Sequence, residues 1–183
     1  MKKILVISGT SGSGKTTIKQ YLMDKYHMAP LITHTTRPKR AGERDGQDYY
    51  FETKESFFQK KYLESVEYDG NFYGSSYEAL QEAFKHSDWA VIVLDTKGAL
   101  SYLEKLPTQT KVLYLTVKNE ATLQQRLQKR GDTPKQIKQR LASYEAKRDA
   151  QLPQALAKQV FILENDDLQV TLKKLDKWIA QQT

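Results

Sequence analysis

Residues Gly9-Thr10-Ser11-Gly12-Ser13-Gly14-Lys15-Thr16 fill the pattern G-x-x-x-x-G-K-[ST] at every fixed position. The glycines let the backbone turn tightly and aim its N–H groups inward, and a helix beginning at this point would present its positive dipole end to the same spot. A triphosphate fits such a cradle. Lys15 would neutralise β- and γ-phosphate oxygens, and the Thr16 hydroxyl, with Thr17 beside it, would face Mg2+ and the phosphates. The pattern therefore points to ATP or GTP. A Gly/Ser-rich turn that only caps a helix is the plainer alternative, but it does not call for the lysine and threonine.

A second anionic site would distinguish a kinase from a motor or a switch. The stretch Thr33-His34-Thr35-Thr36-Arg37-Pro38-Lys39-Arg40-Ala41-Gly42-Glu43, followed by Gly46 and Asp48-Tyr49, supplies one. Paired guanidinium forks bind a phosphate with bidentate geometry, and tyrosine hydroxyls donate to its remaining oxygens. Here the chain resembles the guanylate kinases, whose signature is roughly S-x-T-T-R-x-P-R-x-G-E followed by G-x-x-Y. The resemblance extends from Ile4 to about Trp178 through Glu64, Gly70 to Ser75, Arg126 to Gly131, Arg140-Leu141 and Asn165 to Asp167.

The resemblance implies a role for each matched position. Arg37, Arg40, Tyr49 and Tyr73 match the residues that hold the phosphate of GMP, with Glu43 in the same signature. Thr33, Glu64, Ser75 and Asp95 match those around the guanine base. A carboxylate such as Glu64 can accept from both N1–H and the 2-amino group of guanine, whereas adenine has no N1–H. Arg126, Arg130 and Arg140 match lid or phosphate-bridging arginines that act in catalysis with Lys15, and Asn165 matches a contact near the adenine of ATP. The implied reaction is GMP + ATP to GDP + ADP, with ATP and Mg2+ as cofactors and small nucleotides as partners.

Val93 and Lys97 depart from the family's pattern. The run Asp-x-Asp-x-Gln-Gly usual after the buried strand reads Val93-Leu94-Asp95-Thr96-Lys97-Gly98. The first aspartate of the pattern helps to hold hydrated magnesium, so Asp95 becomes a candidate metal residue along with Thr16. Two alternatives follow: a paralogue that phosphorylates another phosphorylated small molecule, or a guanylate-kinase-like module that binds a phosphorylated or acidic peptide. An intact phosphate loop speaks against the module.

The elements that must position these residues can be read from pattern. Lys3 to Ser8 reads as a buried strand and Thr16 to Lys25 as its helix. Leu31 to His34 reads as a second strand, then a loop to Asp48. A helix near 53–61, extended residues 62–68, a turn at Asp69-Gly70-Asn71 and Phe72-Tyr73 make a small inserted lobe. Ser75 to His86 reads as helix and Trp89 to Leu94 as a strand buried on both faces. Helices over 97–106 and 121–130 flank a strand at 111–116. Gly131 to Pro134 breaks the helical pattern, and Pro134 suits the first position of a long helix. A strand at 160–163 and a closing helix at 168–180, with Leu168, Leu172, Leu175 and Ile179 on one face, complete the chain.

Alternating strands and helices around a phosphate loop predict an α/β fold: a three-layer P-loop NTPase domain with a parallel core sheet, a small αβ monophosphate-binding lobe and a helical lid. The single domain divides into a core at about 1–32, 76–125 and 159–183, the lobe at about 33–75 and the lid at about 126–158. A chain of 183 residues, 39% hydrophobic, suffices for one such core. Cysteine is absent, and His27, His34 and His86 are scattered, so disulfides and thiolate or histidine-cluster metal sites are excluded. No apolar run approaches the length of a membrane span and no leader pattern opens the chain, so a cytoplasmic protein, monomeric or homodimeric, is expected. The net charge of +7 concentrates between Arg126 and Arg148, where eight Lys/Arg face only Asp132 and Glu145. A nucleic-acid surface, a clamp for nucleotide phosphates and a solvated helix face all suit that run. The resemblance favours the clamp, and nucleic acid is not an expected partner.

Overall fold

Strand alternation builds the core from its centre outward. The computed structural model describes residues 1–68, 70–157 and 159–182, with side chains at all of these except 140 and 144–146. Strand β1 (Lys3–Gly9) runs into the loop and helix α1 (Lys15–Tyr26). The short strands β2 (Ala29–Pro30), β3 (His34–Thr35) and β4 (Tyr50–Phe51) follow, then α2 (Lys54–Phe58), β5 (Tyr62–Tyr68), β6 (Asn71–Ser76) and α3 (Tyr77–His86). Next come β7 (Trp89–Val93), α4 (Thr96–Lys105), β8 (Thr110–Thr116) and α5 (Glu120–Lys129). Helices α6 (Pro134–Ala142), α7 (Tyr144–Asp149) and α8 (Gln154–Ala157) lead to β9 (Val160–Glu164) and α9 (Leu168–Ala180).

The core sheet has the order β2-β7-β1-β8-β9, and every pairing in it is parallel. Successive side chains of a strand point to opposite faces, and β1 shows the consequence. Ile4 and Val6 pack with Leu80, Phe84, Ala99 and Tyr102 of α3 and α4 on one face. Leu5 and Ile7 pack with Ile18, Leu22, Leu175 and Ile179 of α1 and α9 on the other. Both faces are covered, which makes the three layers and explains why β1 and β7 read as unbroken apolar runs.

The second sheet, β4-β3-β6-β5, is mixed: β3 pairs parallel with β4 and antiparallel with β6, which in turn pairs antiparallel with β5. The expected strand at 31–34 is instead two strands in two sheets. β2 joins β7 of the core, and after Leu31 the chain crosses to place His34 beside Tyr50 and Gly74 in the lobe. Ser75 and Ser76, expected in a helix, finish β6, and the Ser76 hydroxyl caps α3 by accepting from Ala79 N at 3.0 Å. The long helix expected from Pro134 ends at Ala142 and resumes as α7 and α8. On α9, Leu175 and Ile179 are buried as expected, but Leu168 is exposed and lines a cavity over the loop between β1 and α1 instead. No helix among the described residues is long and apolar enough to cross a membrane.

Candidate functional site

The loop between β1 and α1 is held open by backbone geometry that only glycine adopts cheaply. Gly9, Gly12 and Gly14 have φ of 131°, 84° and 98°. A Cβ at Gly9 would run into the Leu115 carbonyl of β8, and one at Gly14 into the Asn165 amide. Lys15 folds back over this loop, its Nζ donating to the carbonyls of Gly9 and Thr10 at 2.6 and 2.7 Å. Burial lowers the Lys15 pKa to about 8; the Asp149 carboxylate opposes that shift and the Arg130 cation adds to it.

A cavity of about 500 Å³ opens over the loop, lined by Ser11, Gly12, Gly14, Lys15, Thr16 and Thr17 on one side and by Arg126, Arg130, Asn165 and Leu168 on the other. Asn165 braces the loop: its Nδ2 donates to Ser13 O at 2.7 Å, and its own carbonyl accepts from Arg126 Nη2 at 2.6 Å. Ser13 Oγ, Asn165 Oδ1 and Arg126 Nη1 are buried with no hydrogen-bond partner among the described residues. Such orphaned donors and acceptors suit a polar ligand that both accepts and donates hydrogen bonds. Arg130 is exposed and paired with Asp132. The side chain of Arg140 lies outside the described ones.

The second constellation gathers on the lobe. Arg37 Nη2 pairs with Glu43 Oε1 at 2.7 Å, while Glu43 Oε2 accepts from Arg40 N at 2.8 Å. Glu43 thus folds the loop so that both arginines belong to one turn, and its carboxylate holds the Arg37 pKa above its usual value. The Arg37 guanidinium lies 5.5 Å from the centre of the Tyr49 ring, whose centroid is 6.2 Å from that of Tyr73. Arg40 is exposed. The Arg37, Tyr49 and Tyr73 side chains are therefore clustered, with the Arg40 backbone in the same turn.

Glu64 and Ser75 face each other across β5 and β6, beside an irregularity between Tyr62 and Glu64. Tyr102 OH donates to Ser75 Oγ at 2.8 Å, and Ser75 Oγ donates to Glu64 Oε1 at 2.7 Å. Burial raises the Glu64 pKa, Ser75 partly offsets this, and the nearby charge of Asp95 adds to it. Thr33, half-buried, accepts from Tyr50 N through its carbonyl at 2.9 Å, where the chain crosses between sheets. Asp95 follows β7 and caps α4, its Oδ1 accepting from Gly98 N at 2.7 Å. Its Oδ2 takes Arg148 Nη2 at 2.8 Å. Val93 is half-buried and packs toward the α1 and α9 face, and Lys97 is exposed.

Sequence reasoning missed Tyr102, Arg148 and Asp149. Tyr102 sits on the buried face of α4 and reads as core, while Arg148 and Asp149 are hidden in a basic run whose other members are mostly exposed.

A phosphate loop at the end of the central strand of a parallel sheet, with a cation-bearing lobe on one side and a helical arginine segment on the other, defines a P-loop nucleotide kinase. The guanylate kinase family model matches residues 1–182. A guanylate kinase of Synechocystis sp. is 35% identical over 98% of this chain and 94% of its own length. One of Schizosaccharomyces pombe is 33% identical over 95% and 88%. The solved structure of the guanylate kinase from Anaplasma phagocytophilum superposes with a TM-score of 0.65 at 22% identity, covering 99% of this chain and 86% of that one, a likeness of fold. The chain belongs to the guanylate kinase family and is a nucleoside monophosphate kinase.

Proposed function

We infer that this chain transfers the γ-phosphoryl group of ATP to GMP, giving ADP and GDP. Carrying this reading is the pairing, in one molecule, of a glycine-cradled lysine loop with the separate Arg37, Arg40, Tyr49 and Tyr73 cluster. ATP phosphates lie on residues 9–17, with Asn165, Arg126 and Leu168 closing the cavity toward its base and sugar. Lys15 leaves the carbonyls of Gly9 and Thr10 for the β- and γ-phosphate oxygens. GMP places its phosphate between Arg37 and Arg40 under the two tyrosine hydroxyls, and its base against Glu64, Ser75, Asp95 and Thr33.

The acceptor phosphate is already anionic, so no covalent intermediate and no general base are needed. The protein's task is to align two polyanions and offset their repulsion. Lys15, Arg126, Arg130 and Arg140 supply that charge. The donor set fits a magnesium ion that arrives with the nucleotide: Thr16 lines the cavity, and among the described residues no group of three or more His, Asp or Glu could cage a metal by itself. When bound, Mg2+ neutralises phosphate charge and fixes the γ-phosphoryl geometry. Thr16 would hold it. Asp95 lies near enough to Glu64 for its charge to help raise the Glu64 pKa, so we assign Asp95 to the acceptor base with Glu64 rather than to the metal.

Calorimetry on Arg37→Ala and Arg40→Ala tests the acceptor site. Each should weaken GMP by about 1.5 to 3 kcal/mol, the scale of a hydrogen bond to a charged group, and leave ATP affinity unchanged. Unaltered GMP affinity in both variants would place the acceptor phosphate elsewhere.

A further inference from the structure

Arg148, just before the end of α7, joins two carboxylates that stand on different elements. Its Nη2 lies 2.8 Å from Asp95 Oδ2, and its Nε 3.0 Å from Asp149 Oδ1. Asp149 is fixed to the core independently. Thr96 donates to Asp149 Oδ1 through its N and Oγ1 at 3.2 and 2.8 Å, and Tyr114 OH donates to the Asp149 carbonyl at 2.6 Å. Arg148 is thus tethered at the root of the helical segment whatever the rest of that segment does. Asp95 is held less completely: Oδ1 is fixed by the α4 N-terminus, whereas Oδ2 takes a side chain that a ligand could replace. The pair is partly open to solvent, with side-chain exposures of 25% and 30%.

The proposal rests on the assignment of Glu64 and Asp95 to the acceptor base. A purine with a ring N–H and a neighbouring exocyclic amino group brings three N–H donors to one edge, and Glu64, which also takes Ser75 on Oε1, is one of the two carboxylates assigned to that edge. Asp95 Oδ2 is the next acceptor, and Arg148 occupies it.

We propose that Arg148 is a specificity-determining residue that competes with the acceptor base for Asp95. A base bearing the exocyclic amino group displaces Arg148 from Oδ2, and the released guanidinium, still tethered to Asp149, neutralises phosphate charge between the two nucleotides. Base recognition and charge delivery are then one exchange. A base without that amino group leaves the Asp95–Arg148 pair closed.

Binding and turnover of GMP and IMP, which keeps the ring N–H but lacks the amino group, test this in wild type, Arg148→Met, Arg148→Gln and Arg148→Lys. Loss of the competing cation should tighten GMP about three- to fivefold, the worth of a partly exposed ion pair, and leave IMP affinity unchanged. The same neutral variants should lose at least about tenfold in kcat on GMP, as expected for removal of an electrostatic donor, and Arg148→Lys should regain most of it. Opposite movement of affinity and kcat is not what a residue that only holds the fold together would give. Weaker GMP binding, parallel changes for GMP and IMP, or unchanged kcat would overturn the proposal. Should Arg148→Met fail to fold, as a thermal melt would reveal, Arg148→Gln carries the same comparison. Wild-type protein that binds GMP and IMP equally would instead overturn the Glu64 and Asp95 assignment itself.

Discussion

On the proposed reading Lys15 supplies charge for phosphoryl transfer, and its surroundings keep that charge only loosely. Burial lowers its pKa to about 8, against 10.5 when free, and two loop carbonyls are its hydrogen-bond partners among the described residues. Phosphate oxygens favour the ammonium form, so ATP binding raises that value again. ATP binding should therefore take up almost no proton on this account at pH 7 and a large fraction of one at pH 8.5, and affinity should fall as pH rises past about 8. Calorimetry in buffers of different ionisation enthalpy measures the uptake; none at pH 8.5 would mean that Lys15 does not meet the phosphates. Glu64 behaves in the opposite sense. Burial raises its pKa, so its carboxylate, and with it GMP affinity, is lost earlier on acidification than an exposed glutamate would allow. Tyr102 steadies this carboxylate through Ser75. Tyr102→Phe should raise the KM for GMP about fivefold, roughly the 1 kcal/mol of one buried hydrogen bond, with the KM for ATP unchanged. Equal changes in both constants would show that Tyr102 serves only the core.

The loop, its bracing residue and the strand ends act as units. Gly14 has φ of 98°, and a Cβ there meets the Asn165 amide that holds Ser13 O. Gly14→Ala should cost about 1–2 kcal/mol in backbone strain alone. It should also loosen the Asn165 brace, lowering Tm and weakening ATP while GMP affinity holds; equal weakening of both nucleotides would mean that the two sites are not separate. That β1, the loop, α1 and β7 were legible in the sequence has a physical cause. Long apolar runs and a glycine-spaced loop carry their own signal, whereas two-residue strands have no periodicity to read. β2 and β3 therefore merged into one expected strand although they belong to different sheets. Ser75 and Ser76 read as helix because they precede one, yet pairing with β5 keeps them extended. The expected long helix from Pro134 has no glycine or proline where it breaks, but Ser143 is extended there and its carbonyl accepts from Lys147 N at 3.1 Å, the place of an N-cap for α7. The residues expected in both nucleotide sites came from the phosphate-loop pattern and from the resemblance to guanylate kinases. The Asp95–Arg148 pair could not be found that way, because it joins residues 53 apart in sequence on elements whose approach only the folded chain defines.

At the scale of the whole molecule, two sheets hold the two proposed anion sites. The parallel sheet sets the lysine loop at the carboxyl end of its central strand, and the mixed sheet carries the Arg37 loop and the Glu64–Ser75 pair. Neither site alone makes a kinase; a loop without an acceptor site would be a nucleotide switch, and an acceptor site without the loop a phosphate-binding module. The basic run at 126–148 is placed by Arg126 and Arg130 at the donor cavity and by Arg148 at Asp95, which puts the net positive charge where two polyanions would meet. On the proposed reading Val93, where the family's pattern has a carboxylate, would leave the transfer to rely on Thr16, the phosphates and this surplus of cations. The most direct test of the account is an ATP-coupled turnover assay with GMP, dGMP, AMP, UMP and ribose 5-phosphate measured in parallel at saturating magnesium. The account predicts turnover of GMP and dGMP, with the other acceptors at or near background. Negligible turnover of GMP together with efficient use of any of the others, or with none at all, would contradict it.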